Sequence, residues 1–346
     1  MLRLVRHPEA RVVAVVLLTV LASETGLRVF GDRLSNDVAH LASFDELASE
    51  LAERRAIAVA ADDDPVTDES VRALFLGNSL TRYGVARELF EATASTQAGR
   101  PVLAVKVTPD NTAIADWFYA YRNFFAETGR APDLLIIGFE HRHLADAPSY
   151  HPQRLARFYC DRGDWEDLCR LDLSDFESKA AFLAASQSAL LSNRDRIERR
   201  ALDLLIPGYA DGIQELNSRL KQSRRRQEPV ATYERLARLI DLARADGVRV
   251  ILAAMPVPTP YELDEPLLEL VAARNVELLD CRQIEGVTDD MFPDGLHMNS
   301  DASARYTTHL ANTIRWSVNT GDTPLARRAS TDQQESAAMP VAAKRQ

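Results

Sequence analysis

The sequence predicts an α/β fold, doubly wound on a mostly parallel sheet, and three observations carry that expectation. Short runs that are apolar almost throughout recur at residues 73–76 (ALFL), 101–107 (PVLAVKV), 133–139 (DLLIIGF), 248–255 (VRVILAAM) and 276–280 (VELLD). Continuous rather than alternating apolarity marks a strand covered on both faces. Segments of helical character separate several of the runs, and strand–helix alternation is the pattern of a parallel sheet flanked by helices. Finally, 46% of the 346 residues are hydrophobic, enough for one large core or two small ones.

Ahead of the first strand, Arg3, Arg6 and Arg11 precede an uncharged apolar run at residues 12–22 (VVAVVLLTVLA). A basic flank before 11 apolar residues reads as an export signal, with Val20 and Ala22 at the −3 and −1 positions of a cleavage site. The run is short for a membrane-spanning helix, which needs about 20 residues. An uncleaved anchor would have to continue through residues 26–30, past Glu24. The basic residues would keep the N-terminus inside and send the rest outward. The expected organisation is a signal or anchor over 1–30, a helix and acidic linker over 31–70, the α/β domain over 71–318 and a disordered tail over 319–346.

Within the domain, residues 84–95 read as a helix after the first strand. Residues 113–128 read as a second, dense in aromatics (Trp117, Phe118, Tyr119, Tyr121, Phe124, Phe125) whose expected use is core packing. Residues 230–245 read as a third, closed by Gly247. Residues 150–226 break the rhythm and read as a helical insertion, with a long helical stretch near 174–200 and a basic run, Arg224-Arg225-Arg226, expected to be a solvated helix end. Cys160 and Cys169 lie nine apart inside it; in an exported protein they are a disulfide pair or two separate buried thiols, with equal claim.

Composition removes several function classes. Lys and Arg number 41 against 51 Asp and Glu, a net charge of −10, which argues against a nucleic-acid partner. Three cysteines exclude a disulfide-rich miniprotein and a four-cysteine zinc site. With 14 Gly, 16 Pro and 27% charged residues, the chain is neither collagen-like, wholly disordered nor a multi-span membrane protein.

Two segments carry chemistry. Gly77-Asn78-Ser79-Leu80 ends the first core strand, so Ser79 is raised above the sheet edge with its N–H near the start of the next helix. Asp294-Gly295-Leu296-His297 precedes the last helix, and three-residue spacing lets the carboxylate reach one imidazole nitrogen while the other faces outward. An unassisted serine hydroxyl is a weak nucleophile and needs such a base, and the base needs its tautomer fixed. Either segment alone is common; together, one after the first strand and one before the last helix, they make a catalytic set of Ser79, Asp294 and His297.

On these residues the chain resembles the SGNH (GDSL-like) hydrolases over about residues 71–311. Gly77-Asn78-Ser79-Leu80 is similar to their first block and Asp294-Gly295-Leu296-His297 to their last. The resemblance implies a flavodoxin-like three-layer α/β/α sandwich, Ser79 as nucleophile, His297 as general base and Asp294 as its orienting partner. It also implies ester hydrolysis or acyl transfer without a metal or organic cofactor.

The middle blocks depart from the family pattern. Asn111, in Thr108-Pro109-Asp110-Asn111-Thr112, stands where a glycine N–H usually holds the oxyanion. In Gly138-Phe139-Glu140-His141-Arg142-His143 a direct alignment puts Glu140 in place of a donor asparagine; a two-residue shift puts Arg142 there, which can donate. The expected oxyanion set is therefore Ser79, Asn111 and Arg142. His141 and His143, two apart on a strand, would point the same way, but with no third ligand to name, the expectation is a polar loop and no metal. Export and degraded middle blocks are similar to bacterial proteins that O-acetylate exopolysaccharides or cell-wall polymers, often beside a membrane-bound O-acyltransferase. The expected function is thus an exported esterase or O-acyltransferase acting on acyl esters of a polysaccharide; the alternative is a catalytically weak polysaccharide-binding or assembly component of the same shape.

Overall fold

A computed structural model describes residues 8–30, 49, 70–126, 130–206, 208 and 231–316. Apart from Ser49 and Ser70, the expected helix and acidic linker over 31–70 lie outside the described residues, as do the Arg224–Arg226 run and the tail.

Five parallel strands form one sheet: β1 (Val71–Leu76), β2 (Val102–Val107), β3 (Leu134–Phe139), β4 (Arg249–Ala254) and β5 (Glu277–Asp280), in the spatial order β2-β1-β3-β4-β5. This is the flavodoxin-like order, and the chain leaves β1 in one direction for β2 and returns on its other side for β3. A crevice therefore opens at the carboxyl ends of β1, β2 and β3. Side chains of each strand alternate between two cores. Leu74, Leu76, Val105, Val107, Leu135 and Ile137 meet α4 (Ile114–Tyr121) and α9 (Glu234–Ala245) on one face. Ala73, Phe75, Val102, Ala104, Leu134 and Ile136 meet α3 (Arg87–Ala98) and α11 (Ser300–Thr313) on the other. The molecule is a three-layer α/β/α sandwich.

All eight residues of α4 are buried, as expected of a helix apolar on every side, because the insertion covers the face turned away from the sheet. The described insertion contains α5 (Trp165–Leu171), α6 (Phe176–Gln187), α7 (Ala189–Ser192) and α8 (Arg194–Leu205). It is held by buried polar bolts. Asp172 pairs with Arg235 of α9 at 2.6 Å and accepts from Ser149 N at 3.2 Å and from Tyr119 Oη at 3.2 Å. Asp116 of α4 accepts from Ser149 Oγ at 2.9 Å and from Ala113 N at 3.2 Å. Cys160 and Cys169 are both free thiols.

The expected helix at 84–95 is α3, which starts three residues later, at Arg87. A separate short helix, α2 (Ser79–Gly84), starts directly at the strand end, and the backbone turns extended at Val85 and Ala86 between the two. Tertiary contacts hold the break: Lys106 Nζ donates to the Arg82 and Val85 carbonyls, and Ser303 and Thr307 of α11 donate to that of Gly84. The helix expected from 230 starts at Glu234, where the Asp146 carboxylate accepts from the first two amides. α10 (Glu265–Ala273) was absent from the sequence expectation although Asp264-Glu265-Pro266 is a helix-start signal, an Asp cap accepting from Leu267 N with Pro in the first turn.

Two glycines let α2 sit on the sheet. A Cβ on Gly77 or Gly138 would fall 2.1 or 2.3 Å from Thr81 Oγ1. Gly138→Ala should therefore cost on the order of 1–3 kcal/mol in denaturant unfolding, and Thr81→Ala in the same chain should restore part of it. A loss that Thr81→Ala leaves untouched would place the strain elsewhere.

Burial raises the Asp116 carboxyl from its ordinary 3.8 to about 6, against the pull of Arg154. The native state then binds that proton more tightly than the unfolded chain, so its contribution is favourable below pH 4 and is lost as pH rises through 6. Asp116→Asn should abolish a stability decrease on the order of 2–3 kcal/mol between those limits, read from unfolding midpoints at each pH.

Candidate active site

Ser79 is the first residue of α2, so its N–H has no intrahelical acceptor and faces the crevice end of the sheet. Asn78, buried at 5% exposure, caps the helix: its Oδ1 accepts from Leu80 N at 3.0 Å while its Nδ2 donates to the Thr112 carbonyl at 3.2 Å. The other half of the site arrives from the chain between β5 and α11. Asp294 Oδ1 accepts from His297 N at 2.7 Å and Leu296 N at 3.0 Å, a local turn that presents Oδ2 to His297 Nδ1 at 2.6 Å. His297 Nε2 lies 2.9 Å from Ser79 Oγ. Partial burial alone would raise the Asp294 carboxyl, but the His297 amide and ring and the Leu296 amide outweigh it and hold the group below its usual range, so it stays ionised beside the imidazole. The Tyr83 ring packs against that imidazole with centroids 4.8 Å apart.

The structure thus brings together Ser79, His297 and Asp294, which are up to 218 residues apart in the chain. Asn111 stands on the neighbouring turn after β2, exposed, with a left-handed backbone at φ 50. Asparagine tolerates that conformation better than most residues. The turn is fastened on each side. The Asp110 carboxylate pairs with Arg82 of α2, and its carbonyl accepts from Arg154 Nη1 at 2.6 Å. Thr112 Oγ1 accepts from Trp117 Nε1 at 2.9 Å and donates to the Pro109 carbonyl at 2.7 Å. Arg154 is a buried residue of the insertion, and sequence reasoning missed its part because no local pattern links 154 to 110.

The turn after β3 departs from expectation. Residues 141–144 form a turn rather than an extended strand, and His141 takes φ 42, so His141 and His143 do not point the same way. The His141 ring lies parallel to Tyr261, centroids 6.5 Å apart, whereas His143 is edge-on to Trp117. Arg142 lines a cavity of about 220 Å³ with His141, Tyr233, Glu262 and Asp264. His143 from this turn reaches Asn78, the cap of α2. Asn78 Nδ2 at 3.3 Å and the Glu140 amide at 3.4 Å both converge on His143 Nδ1, which makes that nitrogen the acceptor and leaves the ring hydrogen on Nε2, 3.8 Å from a Glu140 oxygen. Among the described residues no group of three or more His, Cys, Asp or Glu is arranged to hold a metal ion.

No family model and no curated protein matches this sequence. Solved structures do. An acetylxylan esterase from Geobacillus stearothermophilus, Axe2, aligns over 71% of this chain and 95% of its own at 11% identity and a TM-score of 0.34. TesA aligns over 70% and 98% at 13% identity and a TM-score of 0.33. LAE5, an alpha/beta hydrolase enzyme from the metagenome of Lake Arreo in Spain, aligns over 70% and 94% at 12% identity and a TM-score of 0.33. At such identities and TM-scores, the fold is read from the strand order and the site from its own geometry.

Arg154→Ala should free the Asn111 turn. Amide exchange at Asn111 and Thr112 is expected to rise about tenfold, the equivalent of roughly 1.4 kcal/mol for one lost hydrogen bond. Unchanged exchange would show that Arg82 alone holds the turn.

Proposed function

We propose that the protein is an exported serine esterase or O-acyltransferase working through an acyl-Ser79 intermediate on acyl esters of a polysaccharide. The observation that carries the proposal is the continuous chain from Ser79 Oγ to His297 Nε2 at 2.9 Å and from His297 Nδ1 to Asp294 at 2.6 Å. A hydroxyl, an imidazole and an ionised carboxylate in that order are what nucleophilic acyl chemistry requires.

In the first half-reaction His297 Nε2 takes the Ser79 proton as Oγ attacks the acyl carbon. Negative charge collects on the former carbonyl oxygen, for which the Ser79 and Asn111 N–H groups are the donors we assign. His297 then returns the proton to the leaving alcohol oxygen, and the C–O bond to it breaks. In the second half-reaction His297 deprotonates water or a sugar hydroxyl, which attacks acyl-Ser79; the imidazolium then returns that proton to Ser79 Oγ as its bond to the acyl carbon breaks, releasing the acid or the new ester. Asp294 keeps the imidazole in the tautomer that accepts at Nε2 and stabilises its charged form.

Two features support a bulky substrate. The site is open, with Asp294, Leu296, Asn111 and Tyr83 exposed around it. Tyr83, 51% exposed beside His297, offers a rigid amphipathic face to a sugar ring. Export is supported by the apolar N-terminal helix, which is long enough and apolar enough to enter a membrane. In the transfer reaction a membrane-bound O-acyltransferase is the proposed acyl donor. One observation favours the reading as a catalytically weak assembly component: Glu140 puts a carboxylate immediately after β3, where an anionic intermediate would be opposed.

Acetate release from an activated acetyl ester should fall by about a thousandfold or more in Ser79→Ala. A saccharide acceptor that captures the acetyl group identifies a transferase, and release unaffected by acceptor identifies a hydrolase. Equal rates for wild type and Ser79→Ala would sink the enzyme reading in favour of the assembly component.

A further inference from the structure

α1 (Pro8–Phe30) is one continuous helix of 23 residues that runs past the expected cleavage position and buries none of its residues against the protein. It has no polar face, and Val12, Val16, Leu17, Leu18 and Leu21 are all more than half exposed. A helix apolar all round and uncovered by protein is at home in lipid. Two charges, Glu24 and Arg28, interrupt its second half, and their contacts are specific. They pair with each other at 2.8 Å. Glu24 Oε1 also accepts from Ala189 N at 2.8 Å, and Oε2 accepts from Leu190 N at 2.9 Å and Ser188 Oγ at 2.8 Å. Arg28 Nη2 donates to the Gln187 carbonyl at 2.7 Å. The carboxylate is thus saturated by the insertion, and the helix is fixed to the folded domain at one place.

We infer that α1 is retained after export as a membrane anchor, and that residues 187–190 of the insertion are its docking site within the outer leaflet of the bilayer. Length supports this. At about 1.5 Å per residue, the uncharged stretch 12–23 covers only ~18 Å, while 12–30 covers ~28 Å, close to the ~30 Å hydrocarbon core. The longer span exists only if Glu24 and Arg28 are neutralised, since an unpaired charge in a membrane helix is expensive; their ion pair and the insertion's donors and acceptor neutralise them. Leu183 and Leu191, on either side of the docking residues, are 52% and 43% exposed, which suits a turn seated in the lipid interface. Arg3, Arg6 and Arg11 lie on the inner side, so the catalytic domain faces outward. Removal of residues 1–22 would leave Glu24 as the second residue of the chain and discard the span that the contact secures. The inference stands apart from the chemistry at Ser79, and its test reads no activity.

The full chain should be expressed in a bacterial host, the membranes washed with alkaline carbonate and the intact mass of the protein measured. Retention of residues 1–22 in washed membranes is the expected result; a chain beginning at Ser23, or one extracted by carbonate, overturns the inference. Hydrogen exchange on the full chain in nanodiscs then tests the docking. The Ala189 and Leu190 amides should exchange at least about tenfold faster in Glu24→Ala than in wild type, while the Ser178 amide, capped by Asp175 in α6, stays unchanged. Equal rates at 189 and 190 in the two proteins would also overturn it.

Discussion

The Asn78 side-chain amide is the interaction on which the site depends. Its oxygen caps the helix that begins at Ser79, its nitrogen donates to the loop after β2, and the same nitrogen approaches His143 from the turn after β3. Three chain segments that leave three adjacent strands are therefore registered by one buried group. A buried amide must use both ends or lose hydrogen bonds it would have made to water. That requirement makes the geometry specific: a shift in any of the three loops leaves a donor or an acceptor unpaired. Ser79 is positioned by this cap and meets His297 Nε2 at 2.9 Å.

Around that amide, the layers of the fold divide their work. The sheet and its two apolar cores supply most of the burial, and glycines at 77 and 138 bring α2 into contact with strand ends where any larger residue would meet Thr81. Polar side chains then position the loops. Arg154 and Arg82 hold Asp110 from opposite sides, and Asp172, Asp116 and Arg235 fasten the insertion to α4 and α9. The insertion is consequently part of the machinery on two counts. It steadies the turn that carries Asn111, and it receives Glu24 from the N-terminal helix.

Much of the fold was legible in the sequence because strands covered on both faces must be apolar throughout, and no tertiary detail alters that demand. All five strands fall within a residue or two of the apolar runs. Helix boundaries were less legible. The break after Gly84 is held by Lys106, Ser303 and Thr307, residues that local propensity does not sample, and the start of α9 is set by Asp146 from 88 residues away. The turn after β3 misled for a related reason: period-two reasoning assumes an extended backbone, and His141 leaves it.

Sequence by itself determined the chemical inventory. A serine at a strand-to-helix turn and an Asp–His pair at three-residue spacing are short-range arrangements, with the Asn78 cap and the Asp294 turn built from neighbours within three residues. Tertiary structure decided which of the remaining polar residues stand beside them. It placed His143 at the Asn78 cap, drew Arg154 to the Asn111 turn and joined Glu24 to Ala189 and Leu190. Each of those contacts links segments dozens of residues apart, and their partners are chosen by the desolvation of polar groups on folding, a property of the packed molecule that no local pattern encodes.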